Sequence, residues 1–431
     1  MKIHKLILVQ IIQALLDIFE NQYYPDKTIE RVFKKHPKWG ARDRRFFAEN
    51  VYEIVRHRRL YEEVLKNIFK KPFSTKEEYY QILFWIHWVK IHESIPEDIE
   101  LNNHWRSHLQ DPEIQKNLQK IKIENPAIYQ SFPDWLYDLG QQELGSVDWA
   151  SWSVYLNQQA PVYLRANVLK VTVEKLQSEF QKENILLQNF NDKTPWVIEL
   201  TRRQNIFSSP LFKNGFFEVQ DASSQLVAPL MHLEPGMRCV DACAGAGGKS
   251  LHMATIMKNK GKIISLDLYA HKLEELQKRA KRNGIHIIET RVIESTKTIK
   301  RLSESADRVL LDVPCSGTGV LRRNPDSKWK LSTEELQRLN ILQKEILRDY
   351  SKMTRIGGEL VYSTCSILPS ENQKQMEWFL SLDPGSWEVL DEIIIRPPTA
   401  EIPFSYYLKK GDSVPHRASD GFYAMSLRRI K

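Results

Sequence analysis

From residue 216 to its end the chain alternates short apolar runs with stretches of helical periodicity. This alternation constrains the fold more than any other feature. Strands are expected at 238–241, 262–267, 285–290, 308–312 and 359–363, and helices near 248–258, 270–283, 333–353 and 370–381. Strand, helix and strand in that order pair in parallel through right-handed crossovers, which predicts a doubly wound, Rossmann-like α/β sheet. Such a sheet holds ligands beyond the carboxyl ends of its strands, so the turns there are the places to look for chemistry. The last apolar run, DGFYAMSLRRI, reads as a closing edge strand.

Residues 1–142 have a different pattern. Helical spacing is nearly continuous, with breaks at Lys71-Pro72, Ile95-Pro96 and Asn125-Pro126. In the opening segment Leu8, Ile11, Ile12, Leu15, Leu16 and Phe19 recur on one face while Gln10, Gln13 and Asp17 interrupt the run. That is an amphipathic core helix, too broken for a membrane span and without the cleavage site of a secretory leader. Between the two parts, 150–215 offers strands around Val162-Tyr163-Leu164-Arg165 and 196–200, with a helix starting after Thr172. It reads as a small α+β connector. A length of 431 residues accommodates these three domains, 1–142, 150–215 and 216–431.

Composition matters for the partner. Lys and Arg exceed Asp and Glu by 62 to 54, a net charge of +8 that serves solubility or a polyanionic ligand equally well. Its distribution is more telling. Residues 31–60 hold ten Lys or Arg against three acids, interleaved with Trp39, Phe46, Phe47 and Tyr52. Each of these alone is explained by a solvated helix face over a packed core, but the patch as a whole points to phosphate contact. Four cysteines cannot staple a secreted fold, so a reducing compartment, the cytoplasm, is expected. Cys239 and Cys243 lack a neighbouring Cys or His pair, so no metal is expected.

MRCVDACAGAGGKSLHMAT is a strand, a glycine-rich turn and a helix, an arrangement that presents backbone N–H groups and a helix N-terminus to a ligand. CAGAGGKS departs from a phosphate-binding Walker loop only at its first position, where Cys243 replaces the glycine of the tight turn. The competing reading is a loop for an adenosyl cofactor. It is favoured by that fault and by Asp267, which ends the second strand where a carboxylate takes both ribose hydroxyls. Lys249 then stabilises the loop and does not clamp phosphate.

Two further turns carry thiols. Asp312-Val313-Pro314-Cys315-Ser316-Gly317 follows the fourth strand and Ser363-Thr364-Cys365-Ser366 the fifth. A lone cysteine is usually a small buried hydrophobe, but two at adjacent strand ends beside a cofactor loop suit methylation of pyrimidine carbon-5. That carbon becomes nucleophilic only after a thiolate adds to carbon-6. A carboxyl group donating to ring nitrogen-3 assists the addition. Asp312 stands where it can do so, provided its surroundings keep it protonated.

With these residues in view, the second half resembles the RNA 5-methylcytosine methyltransferases of the RsmB and Sun family. QDASSQLVAPLM, DACAGAGGK, LDLYAHKL, LLDVPCSGTGVLRRNPDSKW and LVYSTCSILPSEN are similar to that family's motifs, in order. ARDRRFFAENVYEIVRHRR resembles the NusB-like RNA-binding domain of the bacterial ribosomal RNA enzymes, and LRANVLKVTVEKLQSEF their small connecting domain. The resemblance implies a class I methyltransferase core that uses S-adenosylmethionine, acting as a monomer on RNA. Small-subunit ribosomal RNA is favoured over transfer RNA.

It also implies roles. Cys365 would attack cytosine carbon-6, Cys315 would assist product release, and Asp312 would hold the base edge and border the cofactor. The inverse assignment of the two thiols is the one DNA cytosine methyltransferases use. Asp267 would hold the ribose, and Cys243, Ala244, Gly245, Ala246, Gly247, Gly248 and Lys249 would line the methionine and adenosyl side. The family loop reads PGG where Ala246 stands here, and an aspartate where Glu294 offers a longer contact to the adenine. Arg42, Arg44 and Arg45 in the helical part, with Arg322, Arg323 and Lys328 after the first thiol turn, would meet RNA phosphates. Trp329 would pack the loop or stack on a base. The rival is a non-catalytic RNA-binding factor on the same scaffold, which would lack Asp267, Asp312, Cys315 or Cys365.

Overall fold

The computed structural model describes residues 4–69, 73–97, 101, 103–109, 112–188, 196–397, 405–407, 413–415 and 419–431. The chain forms two compact units, one of Met1–Asn157 with Arg323–Lys330, the other of Gln158–Arg322 with Leu331–Lys431.

The first unit is helical because its apolar residues recur on one side of each helix. Lys5–Phe19 buries Ile7, Leu8, Ile11, Leu15 and Ile18, and Ala41–Arg56 buries Phe47, Val51, Ile54 and Val55. Lys76–His92 is apolar almost all round and sits in the core with Phe84, Trp85 and Trp88. Its start is fixed by Thr75 Oγ1, which accepts from Glu78 N at 3.1 Å while Glu78 Oε2 accepts from Ser74 N at 2.8 Å. Such a reciprocal cap contributes about 1 kcal/mol. The helical part extends past residue 142 through Ser146–Tyr155, whose Trp149 and Trp152 are buried.

The second unit holds two sheets. Strands β1 (Val162–Ala166), β2 (Leu187–Gln188), β3 (Val197–Leu200) and β4 (Phe217–Val219) form an antiparallel sheet in the order β2-β3-β1-β4. It packs on the helix Val173–Lys182 through Leu176 and Phe180. The larger sheet comprises β5 (Arg238–Asp241), β6 (Lys262–Asp267), β7 (Ile288–Val292), β8 (Ala306–Asp312), β9 (Thr354–Thr364), β10 (Trp387–Arg396), β11 (Ser405–Tyr407), β12 (Ser413–Pro415) and β13 (Tyr423–Arg429). Their order is β12-β11-β10-β13-β9-β8-β5-β6-β7, and β5 to β9 are parallel.

The chain runs outward from β5 to β7, then returns to β8 on the other side of β5. The strand order therefore reverses between β5 and β8, where ligands of such sheets bind. One expectation needs correction. DGFYAMSLRRI is not an edge strand, because β10 pairs along its far side while β9 pairs along the near side. Burial on both flanks explains why Tyr423, Ala424 and Leu427 are apolar and enclosed.

Candidate active site

The glycine turn leaves β5 at Asp241 and enters the helix Gly248–Ile256. Gly247 has φ +83°, and a Cβ there would lie 2.3 Å from Leu276 Cγ, so only glycine fits. Gly245 also has positive φ, +54°, but a Cβ on it or on Gly248 would meet nothing within 4 Å. Open space thus faces the turn at Gly245 and Gly248. Ala246 has no positive φ, so the departure from PGG is free of strain, and its carbonyl accepts from Arg279 Nη1 at 2.7 Å.

Residues behind the turn hold it in place. Arg165 Nη1, from β1, donates to Gly248 O at 2.7 Å. Buried Glu218, from β4, accepts from Arg279 at 2.9 Å, Arg282 at 2.5 Å and Asn283 at 2.5 Å. Although burial alone would raise the Glu218 carboxyl, the two guanidiniums lower it below the usual carboxylate range.

The donor set suits an adenosyl cofactor carrying a cation and ribose hydroxyls. Asp267 ends β6 and accepts from Gly245 N and Tyr269 N, each at 2.9 Å, which fixes its carboxylate at the turn. Asp241 is buried, its Oδ2 accepting from Ser250 Oγ at 2.5 Å while Oδ1 has no partner among the described residues. Burial pushes its pKa up to about 7. Burial, and then the charges of Asp241, Asp312 and Asp267, hold the Cys243 thiol well above its usual value. Lys249 pairs with Asp312 Oδ2 at 2.6 Å, so its charge is committed away from any phosphate role.

Parallel pairing of β8 and β9 sets Asp312 opposite Ser363 and brings the two thiol turns together. Cys315 Sγ and Cys365 Sγ are 3.2 Å apart, both as free thiols. Gly319 N donates to Cys365 O at 3.0 Å, and Thr318 Oγ1 and Ser366 Oγ lie 2.9 Å apart. Asp312 Oδ1 accepts from Ser363 Oγ at 2.8 Å. With Lys249 on its other oxygen, Asp312 is an acceptor twice over, the arrangement of a carboxylate and not of a free acid. Burial opposes the charge of Lys249, yet Asp312 and, after it, Cys365 hold its pKa above the usual lysine value. The hydrogen bond with Cys365, burial, and the charges of Cys365 and Glu371 raise the Cys315 thiol well above its own.

Glu371 escaped the sequence reading. It is fully buried and clamps the first thiol turn through Ser316 N at 2.8 Å and Ser316 Oγ at 2.5 Å, with Gln343 Nε2 at 3.0 Å. Its only signal is a position six residues beyond Cys365 in ILPSEN. Glu294 stands just past β7 and is exposed.

The proposed phosphate contacts divide. Lys328 is buried within the helical unit at 1% exposure, and its amine donates to Arg56 O at 2.8 Å, Asn157 Oδ1 at 2.9 Å and Ser131 O at 3.0 Å. Trp329 packs beside it, Nε1 donating to Val55 O at 2.8 Å. Arg322 is buried as well and pairs with Asp420 at 3.1 Å. Neither Arg322 nor Lys328 is presented to RNA, because each cation satisfies oxygens inside its own unit. Arg44 is partly buried and donates to Trp39 O and Pro37 O. Arg42 and Arg45 are exposed, and Arg323 is half-buried. Among the described residues no acidic, His or Cys group could hold a metal, and no helix is long and apolar enough to cross a membrane.

Comparison with known proteins agrees with this geometry. Residues 228–428 match the family model for 16S rRNA methyltransferase RsmB/F. The probable ribosomal RNA small subunit methyltransferase B of Synechocystis is 31% identical over 86% of this chain and 88% of its own length. A protein of the same description from Bacillus subtilis is 29% identical over 97% of each chain. A methyltransferase homolog from Pyrococcus horikoshii superposes with a TM-score of 0.57 at 25% identity, covering 70% of this chain and 97% of that one. NSun6 from the same organism, solved with SFG, shares the fold with a TM-score of 0.59 at 19% identity over 70% of this chain and 99% of its own. By its sequence over most of its length and by the fold of its core, the chain belongs to the RsmB family of small-subunit ribosomal RNA methyltransferases, whose methyl donor is S-adenosylmethionine.

Proposed function

We propose that the protein methylates carbon-5 of a cytidine in small-subunit ribosomal RNA through a covalent adduct between Cys365 and carbon-6 of the base. The observation that carries this reading is the pair of free thiols 3.2 Å apart at the ends of adjacent strands, beside the glycine turn. Phosphoryl transfer uses no such pair, and an RNA-binding scaffold without activity would have no reason to keep it.

Cys365, as thiolate, adds to carbon-6 and pushes electron density towards carbon-5 and nitrogen-3. Nitrogen-3 then needs a proton. Asp312 accepts from Lys249 at 2.6 Å, so the ammonium can pass its proton to Asp312 and Asp312 to the ring. S-adenosylmethionine, when bound, supplies an electrophilic methyl group at carbon-5. Gly245 and Gly248 leave room for it, Asp267 offers acceptors to its hydroxyls, and Asp241 offers its unpartnered Oδ1 to its cationic end. Carbon-5 then gives its proton to water as Cys365 departs, nitrogen-3 returns its proton through Asp312 to Lys249, and the aromatic ring is restored; Cys315 assists that departure. The target base must leave its stack to expose its face. Exposed Arg42 and Arg45 supply phosphate contacts elsewhere on the RNA.

Bisulfite sequencing of total RNA from cells lacking the protein tests substrate and reaction together. One small-subunit ribosomal cytidine should lose its methyl group and regain it on complementation. Loss confined to transfer RNA would move the substrate, and an unchanged methylation map would contradict the reading.

A further inference from the structure

Two thiols in contact with each other need something to make them unequal. We infer that Glu371 is the positioning residue that does so: it fixes the turn bearing Cys315 and sets a permanent negative charge beside it, so that Cys315 stays a thiol while Cys365 is left as the nucleophile. The inference rests on the cytosine reading above for its meaning, though not for its test.

The geometry is specific. Glu371 is fully buried, its Oε1 accepting from Ser316 N–H and the Gln343 amide and its Oε2 in contact with Ser316 Oγ. Two N–H donors on one carboxyl oxygen favour the anion. Burying that charge costs several kcal/mol before compensation, whereas a neutral Gln would keep part of the same hydrogen bonding at less cost. Packing alone therefore does not account for a carboxylate here. Its Oε1 and Oε2 reach the backbone and side chain of the residue that follows Cys315, so the charge and the thiol are held as one turn.

The groups facing Cys315 come from several elements. Cys365 lies across from it at the end of β9, and Glu371 approaches from the short turn Pro369–Glu371. Tyr362 OH donates to Glu371 O at 2.6 Å, and the Gly317 backbone completes the surroundings. Among these, the Cys365 sulfur and the Glu371 charge act on Cys315. The upward push on the Cys315 thiol, to which Glu371 contributes after Cys365 and burial, agrees with this.

The test reads the thiol itself in the full-length protein. In a Cys365→Ala background, the pH dependence of Cys315 alkylation by iodoacetamide is followed by peptide mass mapping. Adding Glu371→Gln should lower the midpoint by about one pH unit, which is about tenfold faster alkylation at a fixed pH below it. Adding Ser316→Ala instead, which keeps the charge and removes one hydroxyl, should leave the midpoint in place. An unmoved midpoint in Glu371→Gln, or an equal shift in Ser316→Ala, overturns the inference. Should Glu371→Gln lose its melting transition, Glu371→Ala takes its place. It removes the same charge and must lower the Cys315 midpoint, and no fall overturns the inference. No RNA enters this measurement, so a failure of the cytosine reading appears separately, as absent methylation by the unmodified protein.

Discussion

Asp241 is a carboxyl whose ionisation the fold resists. Its pKa rises from 3.8 to about 7 because burial penalises the anion. Between those values the folded chain keeps a proton that the unfolded chain releases. The stability tied to this group is therefore complete below the unfolded value and lost as pH rises through about 7. Asp241→Asn removes the titration while Ser250 keeps an acceptor. Calorimetry of the unliganded protein should show the variant's melting temperature overtaking the parent's as pH rises from 4 to 7, by about 2–4 °C for each kcal/mol recovered. Parallel curves across that range would contradict the account. Candidate residues were unevenly legible in the sequence. Cys315, Cys365, Asp312 and Asp267 stood out because each lies at or just past the end of a strand. Glu371 did not, since its partners Ser316 and Gln343 are 55 and 28 residues away along the chain. Lys328 misled for the opposite reason: a basic residue in a basic loop looks like a phosphate contact until its three oxygen acceptors are seen.

Elements bring the two thiol turns together, and glycine lets them close. A Cβ on Gly319 would sit 2.1 Å from Gly421 O and 2.8 Å from Cys365 O, both backbone atoms that cannot step aside alone. Gly319→Ala should part the turns and break the Gly319–Cys365 hydrogen bond. Methyl transfer should fall by about 10²-fold, the cost of misplacing reacting groups by an ångström. Cofactor affinity, read by calorimetry, should hold within a few-fold, because the glycine turn is braced separately by Arg165 and Arg279. Full activity in this variant would show that the contact between turns is dispensable. The parallel strands β5 to β9 were readable from apolar runs to within a few residues, as with β5 and β6, whereas β10 was not anticipated. The edge assignment of β13 failed because pairing partners, here β10, are a property of the assembled sheet and leave no local mark.

Across the molecule, the change from a helical first part to a part built on strands is visible in periodicity alone, since period 3.6 and period 2 bury different faces. What periodicity could not reveal is that Arg323–Lys330, an excursion from the catalytic half of the sequence, belongs to the helical unit. Its Lys328 and Trp329 are core groups there. The basic patch of residues 31–60 likewise divides once folded. Arg31 pairs with Asp17, Arg58 with Glu62 at 2.7 Å and Arg59 with Asp134 at 2.6 Å, whereas Lys35, Lys38, Arg42 and Arg45 are exposed. The central claim concerns what the whole protein does with a base, and trapping the adduct tests it most directly. The protein is incubated with ribosomal RNA and S-adenosylmethionine, then run on a denaturing gel. Cys315→Ala should accumulate a covalent protein–RNA band, while Cys365→Ala should form none and transfer no methyl group. A band with Cys365→Ala and none with Cys315→Ala would contradict the assignment.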